Sequence, residues 1–196
     1  MSTLLYCATT NPGKLFEFRH AAEHLGAGLF TIEPLPGLKG YEPPEETGET
    51  FVDNAMLKAT YYSQFTDELL FAEDSGLMVD ALDGAPGVHS ARFSGLGDKA
   101  NNALLLERLK GVPQRTARYK CVIALMRKGQ LLGTFEGAVE GEIIDNERGT
   151  NGFGYDPMFY CPAFGCTFGE ATPEMKLQVS HRGEATEKML AWLRQR

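Results

Sequence analysis

The sequence predicts an α/β protein, with a mixed central β-sheet flanked by helices and two lobes around a cleft. Near the N-terminus a short apolar segment is followed by a polar turn and then by a helical pattern of apolar residues. Further along, polar clusters repeatedly follow apolar segments, and ligands of open α/β sheets bind at strand ends and helix N-termini. The sequence has no internal repeat, low-complexity tract or linker, so we expect one domain over residues 1–196.

The first two elements are a buried strand at residues 4–8 and a helix at residues 15–25. The turn between them consists of Thr9, Thr10, Asn11, Pro12, Gly13 and Lys14. Asn11 is a good N-cap, and Pro12 suits the first helical position because its missing N–H costs nothing there.

A second helix is predicted over residues 51–63, after an acidic loop that contains two prolines. Its start is indicated by the spacing of Thr50 and Asp53, which is typical of a helix cap. Asp98 is expected to cap a third helix that ends near Lys110.

The apolar run at residues 69–72 predicts a buried strand that stops at Glu73, Asp74, Ser75 and Gly76. We expect this strand to deliver Asp74 to a fixed place and Gly76 to let the chain turn away. Apolar and other residues alternate again over residues 77–82.

The second half of the chain begins with a predicted antiparallel hairpin. Its strands lie at residues 116–127 and 131–139, with Lys128 and Gly129 at the turn. A glycine-rich loop at 151–157 then precedes an apolar segment, and two further helices are expected to start after Thr172 and after Ser180.

The composition is that of a globular protein with a sizeable core and an acidic surface. Of the 196 residues, 43% are hydrophobic and 23% are charged, and the formal net charge is -7. Such a surface repels a phosphate backbone, so we expect no nucleic-acid partner. No apolar stretch is long enough for a bilayer and the N-terminus lacks the basic flank of a signal peptide, so we expect no membrane partner. The four cysteines lack metal-ligand spacing, which indicates a reduced, cytoplasmic protein.

The turn at residues 9–14 has the character of a phosphate cradle. It brings backbone N–H groups, hydroxyl donors and the ammonium of Lys14 together, and Gly13 permits close approach. It is not a Walker A loop, because Leu15 follows the Gly-Lys pair and the upstream glycine is missing. The alternative interpretation is an ordinary capped helix.

Two pairs of carboxylates lie on separate segments. Glu45 and Glu46 belong to the acidic loop, and Glu73 and Asp74 follow the predicted strand. Mg²⁺ takes few protein oxygens and completes its shell with water and substrate phosphates, so two such segments fit a magnesium site. The alternative interpretation is that these carboxylates are solvated surface residues. The same alternative applies to Lys58, which lies on the second predicted helix.

The remaining polar residues cluster in the C-terminal part of the chain. An aromatic residue between glycines, such as Phe153, can lie flat against a base, and donors at a helix start can face the base's keto oxygens. The cluster also contains Gly154, Tyr155, Asp156, Lys176, His181 and Arg182. Taken singly, each of these residues also fits core packing or an exposed helix start.

Together these clusters resemble the inosine triphosphate pyrophosphatases, also described as non-standard purine NTP or dITP/XTP pyrophosphatases. The matching segments follow the family's order over nearly the whole chain: 9–14, 45–48, 51–59, 72–77, 84–92, 152–157 and 180–183. Two positions depart from the common pattern. Thr10 stands where many members have glycine, and Glu73 stands where bacterial members often have a second aspartate.

The resemblance implies that the chain hydrolyses ITP, dITP and XTP to the monophosphate and pyrophosphate and so cleanses the nucleotide pool. It also implies a requirement for Mg²⁺ and a homodimer. Asp74 would be the catalytic proton acceptor and a metal ligand, with Glu45 or Glu46 as the other metal ligand. The nucleotide would be bound by Thr9, Thr10, Asn11, Pro12, Gly13, Lys14, Lys58, Ser75, Phe153, Gly154, Tyr155, Asp156, Lys176, His181 and Arg182.

Two other functions stay open from the sequence. One is a nucleotide-binding sensor that does not hydrolyse, against which the presence of Asp74 and Lys14 speaks. The other is a pyrophosphatase for modified pyrimidine triphosphates, although the segment at 180–183 favours purines. A globular protein without any site would require all of these clusters to be coincidental.

Overall fold

The computed structural model describes residues 2–196, which form an α/β protein with a mixed sheet. Along these residues the helices are α1 (Pro12–Leu25), α2 (Phe51–Tyr62), α3 (Asp98–Arg108), α4 (Pro173–Val179) and α5 (His181–Leu193). The strands are β1 (Thr3–Cys7), β2 (Phe30–Pro34), β3 (Leu70–Val79), β4 (Thr116–Arg127), β5 (Gln130–Ile143), β6 (Phe159–Cys161) and β7 (Cys166–Thr167).

The strands lie in the order β2-β1-β3-β4-β5-β6-β7. β1 pairs in parallel with both β2 and β3, whereas β6 pairs antiparallel with β5 and β7. The predicted mixed sheet of an α/β fold is therefore confirmed. Among the described residues, none of the helices combines the length and apolarity needed to cross a bilayer.

The chain divides into two compact units. The first consists of the segment ending at Asp74 together with Cys121–Gly137 and His181–Arg196, and the second consists of Ser75–Lys120 and Ala138–Ser180. The prediction that residues 1–196 act as a single pyrophosphatase domain stays a prediction.

In the first unit the two faces of β3 carry different apolar clusters, because successive residues of a strand point to opposite sides. Phe71 packs with Phe18 of α1 and Met189 of α5. Leu70 packs in another cluster with Tyr62 of α2. Helices therefore cover both faces of the sheet in this unit.

The second unit has its own core. Leu77 and Val79 of β3 pack there with Leu105 of α3, Tyr119 of β4 and Phe159 of β6. The rings of Tyr119 and Phe159 are 4.7 Å apart between centroids. This core holds the loop that leads from β5 to β6.

The helix starts follow the predicted caps. The side chains of Asn11, Thr50 and Thr172 each accept a backbone N–H from three residues further on, and α2 has a complete capping box. Asp98 is different, because it is the first residue of α3 rather than its cap, and α3 ends at Arg108. The prediction that Asp98 caps this helix is wrong.

The prediction that the strand stops at Glu73 is also wrong, since β3 continues without interruption from Leu70 to Val79. Glu73 and Asp74 are buried inside the strand instead of marking its end. Each carboxylate has a cationic partner, which allows acidic residues to occupy buried strand positions. Polarity alone was therefore a misleading signal for the end of this strand.

Gly76 does not turn the chain away but permits a close approach within β3. A Cβ at this position would lie 2.4 Å from Gly87 O and 2.4 Å from Ser90 Oγ. Ser90 Oγ also accepts the N–H of Leu77 at 2.9 Å. The strand and the segment containing Ser90 can be this close only if position 76 lacks a side chain.

We expect Gly76→Ala to lower the free energy of unfolding by about 1–3 kcal/mol, since the added methyl overpacks a backbone contact. Urea unfolding measures this change. Gly40→Ala is the matched control, because a Cβ there meets nothing within 4 Å, and it should leave stability nearly unchanged. Equal midpoints for the two variants would contradict the close-approach explanation.

Candidate active site

The loop between β1 and α1 is organised by its own side chains. Thr9 Oγ1 accepts the Asn11 N–H at 3.2 Å, and Asn11 Oδ1 accepts the Lys14 N–H at 3.1 Å. The N–H groups of Thr10 and Gly13 donate no hydrogen bond to any residue in the described part of the chain. The start of α1 therefore has backbone donors available for an anion.

A buried ionic network surrounds Glu73, whose side chain is only 2% exposed. Lys14 Nζ lies 2.5 Å from Glu73 Oε1, and a guanidinium nitrogen of Arg182 lies 3.9 Å from Oε2. The thiol of Cys121 donates to Oε2 at 3.8 Å, and Arg182 also binds Glu17. Helices α1 and α5 thus both contribute cations to one strand carboxylate.

These partners change the protonation of Glu73. Burial by itself raises the pKa of a carboxyl, but the charges of Lys14, Arg182 and Lys58 outweigh it and lower the pKa of Glu73 to about 2. Glu73 is therefore ionised throughout the physiological range and holds the side chain of Lys14 in place.

Asp74 has a different set of neighbours. Lys58 Nζ lies 2.8 Å from Asp74 Oδ1 and 2.7 Å from Glu46 Oε1, and Asn54 Nδ2 donates to Asp74 Oδ2 at 3.4 Å. Burial raises the pKa of Asp74 above its ordinary value, with Lys58 opposing and the charges of Glu73 and Glu46 adding to the rise. Asp74 is therefore a better proton acceptor than Glu73.

The acidic loop is held against α2 by Asn54. Asn54 Oδ1 accepts the N–H of Gly48 at 2.8 Å, and its Nδ2 donates to the Gly48 carbonyl at 3.3 Å. A Cβ on Gly48 would lie 2.6 Å from Asn54 Oδ1, so this clamp requires glycine. The clamp brings Glu46 to Lys58, because Asn54 and Lys58 share a helix face at a spacing of four residues.

The structure separates the two loop glutamates that the sequence left as alternatives. Glu46 is partly buried against Lys58, whereas Glu45 is exposed and makes no ion pair with any described residue. Glu46 is therefore the loop carboxylate next to Asp74.

Neighbouring positions on β3 account for the contrast between the two acids. Glu73 and Asp74 are consecutive in the strand, so their side chains lie on opposite faces. One face meets α1 and α5 and supplies two strong cationic partners, and the other meets α2 and supplies one lysine shared with Glu46. Two adjacent carboxyls thereby acquire pKa values displaced in opposite directions.

A second polar cluster lies within the second unit. Lys176 Nζ is 2.6 Å from Asp156 Oδ2 and stands 5.4 Å from the ring centre of Phe153 and 5.2 Å from that of Phe168. Asp156 Oδ2 also accepts the N–H of Phe153 at 2.9 Å. A Cβ on Gly152 would lie 2.0 Å from that oxygen, so the loop needs glycine there.

Two other residues of this loop are fixed by contacts inside the second unit. Tyr155 is buried and donates its hydroxyl to the Ser90 carbonyl at 2.8 Å, and burial raises its pKa. The N–H of Gly154 donates to Asp98 at 3.1 Å. Tyr155 therefore anchors the loop to the segment that contains Ser90.

The sites predicted from the sequence are thus distributed between the units. In the first unit the structure brings together Lys14, Glu73 and Arg182, and beside them Glu46, Lys58 and Asp74. In the second unit Phe153, Asp156 and Lys176 meet, and Ser75 is half-buried on β3. His181 and Arg182, which we expected to face the nucleotide base, are both buried at the start of α5.

Three residues of the site were not predicted. Glu17 binds Arg182, and Cys121 donates to Glu73. Asn54 holds the acidic loop through Gly48. The spacing of four residues between Asn54 and Lys58 was a signal for Asn54. For Glu17 and Cys121 the sequence carries no local signal, because their partners are distant in the chain.

The sheet and the charged residues around β3 define an α/β protein with a polar site built on an interior strand of the sheet. The chain belongs to the Ham1 family, whose sequence model matches residues 5–192. A relative from Acidobacterium capsulatum named dITP/XTP pyrophosphatase is 46% identical, covering 98% of this chain and 99% of the relative. One with the same name from Desulforamulus reducens is 48% identical and covers 95% and 93%. The predicted family resemblance is confirmed.

Solved structures agree with this assignment. The Ham1 protein of Staphylococcus aureus has a TM-score of 0.85 at 36% identity and covers 98% of this chain and 99% of its own. A structure from Mycobacterium abscessus described as nucleoside-triphosphatase / dITP/XTP pyrophosphatase has a TM-score of 0.74 at 40% identity and covers 97% and 100%.

We expect Glu73→Gln to lower the free energy of unfolding at pH 7 by about 3 kcal/mol, because the partly buried Lys14 and the buried Arg182 each lose a carboxylate partner. The folded-state pKa of about 2 lies below the ordinary 4.5, so Glu73 contributes stability above pH 4.5 and loses it as the pH falls towards 2. The difference between the wild type and the variant should therefore shrink over that window.

Chemical unfolding measured from pH 7 down to pH 2 tests this expectation. Glu33→Gln is the control, since Glu33 forms an ion pair with Arg19 in which both side chains are more than 40% exposed. It should cost less than about 1 kcal/mol. A stability difference for Glu73→Gln that is the same at every pH would show that its charge is not the cause.

Proposed function

We propose that this chain hydrolyses the non-standard purine triphosphates ITP, dITP and XTP to the monophosphate and pyrophosphate, and so cleanses the nucleotide pool. The names of its relatives support the substrate class. The observation that carries the chemistry is the pair of adjacent carboxyls on β3, Glu73 and Asp74, with pKa values displaced in opposite directions. Such pairs allow one acid to stay charged while its neighbour exchanges a proton.

The triphosphate would be bound by the loop at residues 9–14. The N–H groups of Thr10 and Gly13, which donate to none of the described residues, and the ammonium of Lys14 would supply donors and charge for phosphate oxygens. Glu73 would act as a positioning residue, because it fixes Lys14 through a 2.5 Å ion pair.

The charge of the first unit's cluster argues for a divalent cation. It combines three cationic side chains with four carboxylates: Lys14, Lys58 and Arg182 with Glu17, Glu46, Glu73 and Asp74. A net negative cluster repels a triphosphate, and one divalent ion reverses the sign. We propose Mg²⁺, because it prefers carboxylate oxygens together with phosphate and water.

The donor set fits such an ion. Glu46 and Asp74 come from separate segments, and their carboxylates already share one cation, the ammonium of Lys58. We assign Glu46 rather than the exposed Glu45 as the second ligand. Glu46 and Asp74 would hold Mg²⁺, which would supply positive charge for the oxygens of the leaving pyrophosphate.

Asp74 would accept a proton from the water that attacks the α-phosphorus opposite the leaving pyrophosphate. Its Oδ1 is bound by Lys58, whereas Oδ2 has, within residues 2–196, only the longer 3.4 Å contact from Asn54. We therefore assign Oδ2 as the acceptor atom. The raised pKa of Asp74 makes it a stronger base than an ordinary aspartate.

We propose that the second unit contributes to nucleotide recognition through Phe153 and Lys176. The partly buried ring of Phe153 offers a stacking face, and Asp156 holds the Lys176 ammonium beside it. Gly154 and Ser75 would add polar contacts, and Tyr155 would support the loop.

Selection against adenine follows from the base's chemistry. Hypoxanthine and xanthine carry an oxygen at C6 where adenine carries an amino group. A donor aimed at C6, from His181 or a nearby N–H group, would be left unpaired by adenine at a cost of about 1–3 kcal/mol. Arg182 would not be left unpaired, because Glu17 and Glu73 already bind it.

The family resemblance also supports a homodimer and a cytoplasmic location, and we propose both. Light scattering of the purified protein tests the first, and fractionation of cells tests the second.

Pyrophosphate release across a panel of ITP, dITP, XTP, GTP, ATP and thymidine-analogue triphosphates tests the proposed function. We expect release from the first three to exceed release from ATP by tenfold or more, and to need Mg²⁺. Asp74→Asn should still bind ITP, but its turnover should fall by at least about 100-fold, since a general base contributes at least that factor. Equal rates for ATP and ITP would refute the assignment.

A second prediction separates the two loop glutamates. We expect Glu46→Gln to raise the Mg²⁺ concentration needed for half-maximal activity by about tenfold, because a metal ligand is lost. Glu45→Gln has the same chemistry one residue away and should behave like the wild type. If the Mg²⁺ dependence shifted equally in both variants, Glu46 would not be the ligand.

A further inference from the structure

Three metal-ligating side chains lie together on α1, separate from the residues used above. His20, Glu23 and His24 are spaced by three and four residues, which places them on one helix face. One ligand atom from each lies within 4.8 Å of the other two. His20 is partly buried, and Glu23 and His24 are exposed.

The tautomer of His24 is set by the helix itself. His24 Nδ1 lies 2.9 Å from the carbonyl oxygen of His20. A carbonyl can only accept, so Nδ1 carries the proton and Nε2 has a free lone pair. A ring N–H held by a backbone carbonyl is the usual support of a metal-binding histidine.

The ring of His20 is also held in place before any ion binds. It stacks on Phe16 with centroids 5.8 Å apart and an angle of 9°, and it lies 4.0 Å from the ring of His24. His20 Nε2 is buried and has no hydrogen-bond partner among the described residues. No hydrogen bond therefore has to be broken before this nitrogen takes a ligand.

We propose that His20, Glu23 and His24 form a binding site for a divalent transition-metal ion, with Zn²⁺ as the ion of choice. Two imidazoles and one carboxylate are a donor set for Zn²⁺, Ni²⁺ or Cu²⁺, whereas Mg²⁺ prefers oxygen ligands throughout. Three protein ligands, two of them exposed, leave at least one position for water. The site does not depend on the proposed hydrolytic function.

Binding at this site has a structural consequence. An ion bridging residues 20 and 24 ties together successive turns in the second half of α1, the helix that presents Lys14 at its other end. A ligand that binds the folded chain and not the unfolded chain stabilises it by mass action. Zn²⁺ should therefore raise the unfolding temperature of the protein.

Isothermal titration of the purified protein with ZnCl₂, in excess Mg²⁺ to occupy oxygen-rich sites, tests the proposal. We expect one Zn²⁺ per chain, and a loss of affinity of about tenfold or more in His24→Gln and in His20→Gln. His89→Gln removes an exposed histidine elsewhere and should bind like the wild type. Thermal unfolding with and without Zn²⁺ should show a shift in the wild type and in His89→Gln only.

The titrations of the wild type and of the two histidine variants decide whether the site binds Zn²⁺. Zn²⁺ binding that is equal in the wild type, His20→Gln and His24→Gln would overturn the proposal, as would no measurable binding to the wild type. Because His24 is exposed, His24→Gln is expected to fold even if the replacement of the partly buried His20 does not. Pyrophosphate release measured beside the titration shows independently whether the hydrolytic proposal stands.

Discussion

The ion pair between Glu73 and Lys14 is the interaction on which the geometry of the site depends. Burying a carboxylate in the middle of a strand is unfavourable unless cations surround it. Lys14 meets this requirement from α1 and Arg182 meets it from α5. The same contacts determine where the loop at residues 9–14 stands relative to β3, so a requirement of folding also positions the lysine that we propose binds phosphate.

The geometry of β3 gives the neighbouring carboxyls of Glu73 and Asp74 different pKa values. Strand geometry sends the side chains of Glu73 and Asp74 to opposite faces, where different helices supply their partners. Glu73 meets two cations and stays ionised, whereas Asp74 shares Lys58 with Glu46 and retains a raised pKa. The alternation of side chains along a strand and the placement of α2 are therefore enough to give Glu73 and Asp74 the different roles that we propose.

Local patterns in the sequence predicted much of this arrangement. Asn11, Thr50 and Thr172 begin helices where expected, because capping depends on residues close in the chain. The break predicted after residue 72 failed because the pattern cannot show that Glu73 and Asp74 each find a cation from another element. Glu17 and Cys121 were missed for the same reason. Their roles depend on residues 165 and 48 positions away.

The charges of the first unit impose a further condition on any polyanionic substrate. Every cation of its central cluster is already paired with a carboxylate of the chain. Phosphate oxygens would therefore have to compete with Glu73, Asp74 and Glu17 for the same donors. The backbone N–H groups of Thr10 and Gly13 have no such competitor among residues 2–196. An added divalent ion would bind carboxylates and phosphates together, so they would no longer compete for the same cations. An acidic chain can in this way bind a polyanion without carrying an excess of basic residues.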